Sequence, residues 1–69
     1  MKFKNFAVEL IKQDITRKEL TQMLNENGVK VDYSTVCRWI RGTSEPTFGQ
    51  AGIISKILGC SMDYLFKVE

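Results

Sequence analysis

The most specific helix signal in this chain is Ile15-Thr16-Arg17-Lys18-Glu19-Leu20. Thr16 and Glu19 are spaced as a capping box, in which a threonine hydroxyl and a glutamate carboxylate each accept a hydrogen bond from a backbone N–H left unpaired at the start of a helix. Ile15 and Leu20 flank the box at the spacing of a hydrophobic staple. The segment therefore predicts a helix that begins immediately after Thr16.

The segments on either side of this signal also have helical patterns. Upstream, apolar residues recur at the i, i+3, i+4, i+7 and i+8 spacing of one helical face, which predicts a first helix over about 3–13. Downstream, the second helix continues through Leu24, and we expect Gly28 to end it in the left-handed conformation. The five residues of the upstream face are Phe3, Phe6, Ala7, Leu10 and Ile11.

A third helix is predicted after Asp32, because aspartate is a favoured N-cap residue. This helix carries Val36, Trp39 and Ile40 toward the core, and Gly42 is expected to end it.

Two further helices follow a loop that contains the single proline of the chain, Pro46. Proline blocks helix continuation and favours an extended conformation in the residue before it. The fourth helix is predicted over 48–58 and ends at Gly59, and Ser61 then caps a short fifth helix. No segment alternates with period two over a useful length, so the expected fold class is all-α, with one five-helix domain over residues 1–69.

The composition argues against several chemistries. Histidine is absent, so the chain lacks the usual general base near neutral pH and the commonest metal ligand. The two cysteines, Cys37 and Cys60, are too few for a structural zinc site, and we expect both to be reduced thiols. We therefore expect neither an enzyme nor a cofactor or metal site.

The charge is mildly basic, with ten Lys and Arg against eight Asp and Glu and a net charge of +2. This balance is compatible with a polyanionic partner. Lys2 and Lys4 are either a flexible basic arm or solubilising charge. Glu9, Lys12 and Asp14 interrupt any signal-peptide core, and no apolar run approaches the roughly 20 residues that span a bilayer. We expect a cytoplasmic protein without membrane association or a small-molecule ligand.

Four segments of the chain carry recognisable motifs at characteristic distances from one another: 15–20, 31–42, 45–46 and 58–65. The last segment ends in the pattern Leu-Gly-x-Ser-x-Asp-Tyr-Leu. Together these segments resemble the helix-turn-helix domains of the phage Cro and repressor type, also called XRE-like. The resemblance covers nearly the entire chain and implies a compact lambda-repressor-like DNA-binding domain.

Two features depart from the pattern of that family. Residues 25–30 lengthen the connection between the second and third helices by about five residues, or roughly a turn and a half of helix. Ile40 stands where the family commonly has Glu, and Thr21 stands where it prefers Ala. We therefore expect the contacts between these two helices to be repacked.

The resemblance makes the third helix the one that reads bases in the major groove. Val36 and Trp39 would face the core and turn the neighbouring positions outward. Arg38 is the natural guanine reader, because its planar guanidinium matches the O6 and N7 acceptors. The expected base-reading residues are Tyr33, Ser34, Cys37 and Arg38.

Phosphate contacts are expected at the start of the second helix and after the third. Arg17 can offer a phosphate both its guanidinium and the nearby backbone N–H groups. Several of these positions also have an ordinary structural explanation: Thr16 caps a helix, Arg17 and Lys18 are solvated charges, and Arg41 complements the helix dipole. The expected phosphate-binding residues are Thr16, Arg17, Lys18, Lys30, Arg41, Thr43 and Ser44.

The predicted function is that of a sequence-specific transcriptional regulator, a Cro-like repressor of phage or mobile-element origin that binds double-stranded DNA on the nucleoid. One reading helix makes too few contacts for the affinity of about 10⁻⁸ M typical of specific sites, so we expect a homodimer. The fifth helix and residues 66–69 are the candidate dimer surface. The alternative is a protein-interaction module of the same fold, such as an antitoxin, adaptor or anti-repressor, with DNA binding reduced or lost.

Overall fold

The computed structural model describes residues 2–68, and in this range the chain folds into five α-helices without a strand. The all-α class and the five-helix order are therefore confirmed. Met1 and Glu69 lie outside the described residues. Glu69 is the last residue of the candidate dimer surface, so this surface is described only as far as Val68. In chain order the helices are α1 (Lys4–Lys12), α2 (Arg17–Glu26), α3 (Tyr33–Arg41), α4 (Phe48–Leu58) and α5 (Met62–Leu65).

Side-chain caps define the starts of α2, α3, α4 and α5. The residue before each helix accepts a hydrogen bond from the backbone N–H three residues on, which satisfies a donor that the first turn leaves unpaired. At α2 the capping box is complete, because Glu19 N donates to Thr16 Oγ1 (3.0 Å) and Thr16 N donates to Glu19 Oε1 (2.9 Å). A second complete box, which we did not predict, starts α4 at Thr47 and Gln50. The four caps are Thr16, Asp32, Thr47 and Ser61.

Glycines follow the ends of α2, α3 and α4 at the predicted positions. Gly28, Gly42 and Gly59 have φ values of +87°, +84° and +69°, in the left-handed region. At the end of α3 the N–H of Gly42 donates to the carbonyl of Arg38 (2.9 Å). This bond pairs one of the carbonyls that the last turn of the helix leaves free.

The core contains at least one fully buried side chain from every helix. Two internal glycines lower the helix propensity of α4, so packing of its apolar side chains must hold it. Phe66, which follows α5, closes the core against Phe3 and Phe6, with ring centroids 5.3 Å apart in each pair. The most deeply buried side chains are Phe6, Leu20, Leu24, Val36, Ile54 and Leu65.

The predicted apolar face of α1 is wrong at its last position. Ile11 is 79% exposed, whereas Glu9 is buried. The buried carboxylate is satisfied by hydrogen bonds, because Gln13 Nε2 donates to Glu9 Oε1 (3.0 Å) and the Tyr64 hydroxyl donates to Glu9 Oε2 (3.3 Å). Tyr64 belongs to α5, so packing of α1 against α5 buries the Glu9 side and leaves Ile11 in solvent.

The long connection between α2 and α3 is tied to the end of α2. Part of the inserted sequence extends the helix, which continues to Glu26. Asn25 Nδ2 donates to the carbonyls of Thr21 (2.8 Å) and Val31 (2.9 Å), and the buried Val29 donates its N–H to the carbonyl of Leu24 (2.9 Å). The connection therefore packs against its own helix and leaves the outer side of α3 uncovered.

All five helices are short. The longest, α4, has 11 residues, and no helix in residues 2–68 is long and apolar enough to cross a membrane.

Candidate nucleic-acid interface

One side of α3 is buried and the opposite side is exposed. Ser34, Arg38 and Arg41 are exposed and lie at the i, i+4 and i+7 spacing of one helical face. The buried side consists of Val36, Cys37, Trp39 and Ile40. The structure thus brings two arginines and a serine into a single stripe on the outside of the domain.

The prediction that Cys37 points outward is wrong. Its side chain is only 7% exposed and lies in the buried side of α3. The prediction took Val36 and Trp39, which are three residues apart, as the core-facing positions, and it therefore placed Cys37 on the exposed side of the helix. Ile40 is also buried, and because Cys37 and Ile40 are themselves three residues apart, they share a face. A thiol in this position cannot reach a base edge without opening the core.

Tyr33 stands in the first turn of α3 and is 52% exposed. A hydrogen bond with the Cys37 thiol, followed by the charge of that group and partial burial, raises the pKa of the Tyr33 phenol, while the charge of Arg17 acts in the opposite direction. The phenol is therefore an O–H donor at neutral pH. Arg17 belongs to α2, which packs against α3.

The Arg38 guanidinium lies along the outer face of α3. Its Nη2 donates to Thr35 Oγ1 at 3.1 Å, one turn earlier. Among residues 2–68 the ion pairs are Lys2–Glu45 and Lys12–Glu9, so Arg38 is not held by a carboxylate in this range. The charged fork is thus oriented by a hydroxyl and open to an external acceptor.

Asp32 adds one negative charge near this face. Its Oδ1 accepts from Thr35 N (2.9 Å) and from the Ser34 hydroxyl (3.2 Å). Hydrogen bonding by Thr35 is the main reason that the pKa of Asp32 lies below its ordinary value, with smaller contributions from Ser34 and from the Arg38 charge. The Ser34 hydroxyl proton is engaged by Asp32, which leaves the serine oxygen free as an acceptor.

Three of the predicted phosphate-binding residues are consecutive at the N-terminus of α2. Thr16 and Lys18 are exposed and Arg17 is half-buried. The hydrogen bond from Thr16, through its backbone and then its side chain, lowers the pKa of Glu19, so this carboxylate remains ionised as a cap. Whether these residues contact phosphate stays a prediction.

The predicted phosphate-binding residues after α3 are differently engaged. Thr43 N and Ser44 N both donate to the carbonyl of Arg38 (3.0 and 3.4 Å), and the Thr43 hydroxyl donates there too (3.3 Å). These backbone donors cap α3 and are not free for a phosphate. Arg41 is exposed at the last position of α3, and Lys30 is exposed in the connection that precedes α3.

Two surface features of the domain were not predicted. Phe48, in the first turn of α4, is 82% exposed. The Thr-x-x-Gln spacing at 47–50 was a readable signal for that helix start, but no pattern in the sequence marks the exposure. The second feature is an open groove of about 280 Å³ between α1, the start of α2 and α3, lined by Ala7, Leu10, Ile11, Ile15, Thr16, Arg17 and Ile40.

Comparison with known families adds one finding. The family model of the Mu-like transposase middle domain matches residues 4–47, which include α1, α2, α3 and the loop that follows α3. The matching family differs from the Cro and repressor type that the motifs resemble. No curated protein and no solved structure matches the chain.

Proposed function

Because this chain belongs to the family of the Mu-like transposase middle domain, we propose that it is a DNA-binding domain of phage or mobile-element origin. The family match includes both helices that carry the predicted DNA contacts, α2 and α3. A transposase works on DNA, so a DNA-contacting role for one of its domains agrees with the exposed basic residues of α3. We assign the chain binding and not catalysis, since it contains no histidine.

The observation that carries the proposal is the exposed stripe of Ser34, Arg38 and Arg41 on the outer side of α3. An α-helix fits the major groove, and exposed side chains on its outer face can reach base edges there. Arg38 is oriented by Thr35 and is free of a carboxylate partner in residues 2–68, so its remaining N–H donors are available for guanine.

The start of α2 supports a second set of contacts. Arg17 is the first residue of α2, and α2 packs against α3. A duplex seated on α3 would therefore bring a phosphate near Arg17 and Lys18, where positive charge and the helix N-terminus both favour an anion. Tyr33 contributes an O–H donor at the edge of the same face.

In finer detail we propose a Cro-like repressor that blocks its operator as a homodimer. The motif resemblance and the small size of the reading surface support this proposal, because one helix supplies few base contacts. The candidate dimer surface is α5 and the residues after it, where Tyr64 and Val68 are partly exposed. Such a protein would act in the cytoplasm, on the nucleoid.

Selection from random duplex DNA, followed by titration at several salt concentrations, tests the proposal. The wild type is expected to bind the selected duplex more tightly than a scrambled one. Arg38→Ala should cost about 1–3 kcal/mol on the selected duplex and abolish the preference at one base position. Lys56→Ala is the matched control, because Lys56 is an exposed cation on α4. Equal, weak binding of both duplexes by the wild type would refute a sequence-specific regulator.

The apolar groove favours one alternative, a protein-interaction module of the same fold. Ile11 projects from α1 with 79% of its surface exposed and lines this groove with Ile15 and Ile40. A module of this kind would bind no duplex DNA in the titration. Its partner binding would instead be weakened by Ile11→Ser and unaffected by Arg38→Ala.

A further inference from the structure

The N-terminal segment of the chain packs on the C-terminal end of α3. Gly42 follows α3 in the left-handed conformation, and a Cβ at this position would overlap Lys2 Cβ and lie 3.0 Å from Lys2 N. Lys2 thus occupies the space that a side chain at position 42 would need. The sequence predicted no fixed contacts for Lys2 or Lys4. The interpretation of Lys2 as part of a flexible basic arm is wrong, because this residue is packed against Gly42.

The Lys2 side chain reaches from this contact to the loop after α3. Its Nζ donates to Glu45 Oε2 at 2.7 Å and lies 5.5 Å from the centre of the Phe3 ring. Phe3 is buried and packs edge-on against Phe66, so the backbone that carries Lys2 is anchored in the core. The ammonium is therefore held by a carboxylate and an aromatic face on a fixed stem.

Glu45 carries a negative charge in a segment that otherwise has no acidic residue. It is the single acidic residue between Asp32 and Asp63, and it lies four residues after Arg41, the last residue of the exposed stripe on α3. An unpaired carboxylate there would repel the DNA backbone. The cation that balances it comes from a residue 43 positions away in the chain.

We propose that Lys2 is a positioning residue for DNA binding, which neutralises Glu45 and orders residues 43–45 at the end of α3. The inference rests on the proposed function and deepens it. Lys2 acts through Glu45 and not through a phosphate of its own, since its Nζ is already bound to that carboxylate. The pair is solvent-exposed, so its contribution to the free energy of unfolding is small. Its expected effect is to order residues 43–45 and to neutralise the charge of Glu45.

A binding experiment with a double-mutant cycle tests the electrostatic part. Lys2→Ala should weaken binding of the selected duplex at low salt by up to about fivefold, the upper limit for an exposed ion pair. Lys4→Ala, which removes an exposed cation two residues along, should have a smaller effect. Glu45→Gln should bind at least as tightly as the wild type, and Lys2→Ala should add no further loss in that background. Equal losses from Lys2→Ala in both backgrounds, or equal effects of Lys2→Ala and Lys4→Ala, would overturn the proposal.

Amide hydrogen exchange of the DNA-free protein tests the positioning part. Thr43 N and Ser44 N donate to Arg38 O, and both should exchange faster in Lys2→Ala. The charge-swapped variant, Lys2→Glu with Glu45→Lys, should restore protection. Unchanged exchange in Lys2→Ala would show that Lys2 does not hold the loop. If the wild type binds no duplex, the proposed function fails, and the exchange data alone decide whether Lys2 orders these residues.

Discussion

The two ends of α3 are held by different kinds of contact. At the N-terminal end, Asp32 accepts hydrogen bonds from Ser34 and Thr35, and Thr35 in turn accepts one from Arg38, so every partner lies within six residues. At the C-terminal end, Gly42 is covered by Lys2, which belongs to the other end of the chain. The comparison shows that local hydrogen bonds define both ends of the helix, but that only its C-terminal end is also packed against a residue distant in sequence.

The largest effect is expected from Gly42→Ala at the C-terminal end. The substitution combines the cost of a left-handed φ, about 1–2 kcal/mol, with overlap against Lys2, about 1–3 kcal/mol, so we expect a loss near 3 kcal/mol in the free energy of unfolding. Urea denaturation measures this loss. Gly28→Ala is the matched control, because φ is +87° there and no atom beyond the adjacent residues lies within 4 Å of an added Cβ. Equal losses for the two variants would show that the Lys2 contact contributes nothing.

A smaller effect, dependent on pH, is expected at the N-terminal end. Because the pKa of Asp32 is lower in the folded protein than in the unfolded chain, its contribution to stability is present above the unfolded pKa of about 3.9 and is lost as pH falls through the folded pKa. Asp32→Ala should therefore be less stable than the wild type at pH 7, and the difference should shrink below about pH 4. Asp32→Asn keeps an acceptor for Thr35 N without a charge and should show a flatter pH dependence. A constant difference between wild type and Asp32→Ala from pH 7 to pH 2 would contradict this account.

The smallest effect is expected from Thr35→Val, which removes the hydroxyl that orients Arg38 and keeps the shape of the side chain. We expect the preference for the selected duplex to fall by about twofold to threefold, the value of one exposed hydrogen bond. Thermal stability should change little, because the backbone N–H of Thr35 still donates to Asp32. Thr35→Ser retains the hydroxyl and should restore the preference. A preference that is the same in all three proteins would show that Arg38 needs no such support.

Much of the fold could be predicted because helix caps are local. The capping box at Thr16 and Glu19, the N-cap at Asp32 and the left-handed glycine at 42 each involve residues at most five positions apart. Their hydrogen bonds depend on the backbone of one turn and not on the neighbours of the helix. The outer face of α3, with Ser34, Arg38 and Arg41, followed in part from the same local reasoning.

The misplaced residues are those whose environment another helix provides. Ile11 has the spacing of a core residue, yet the packing of α1 on α5 leaves it in solvent and buries Glu9 under Tyr64. The spacing of Cys37 is compatible with either the exposed or the buried side of α3. It is buried because the packing of the domain covers the face that it shares with Ile40. Periodicity defines which residues share a face of a helix but not which face the rest of the molecule covers.

The sequence by itself determined the five helices, their starts and ends, and the exposed arginine on α3, since short-range hydrogen bonds and steric limits act within a few residues. Only the tertiary structure decided that Cys37 is buried, that Glu9 lies under α5, and that Lys2 crosses the chain to Gly42 and Glu45. These contacts join residues far apart in sequence, and they form only when the helices pack to remove apolar surface from water.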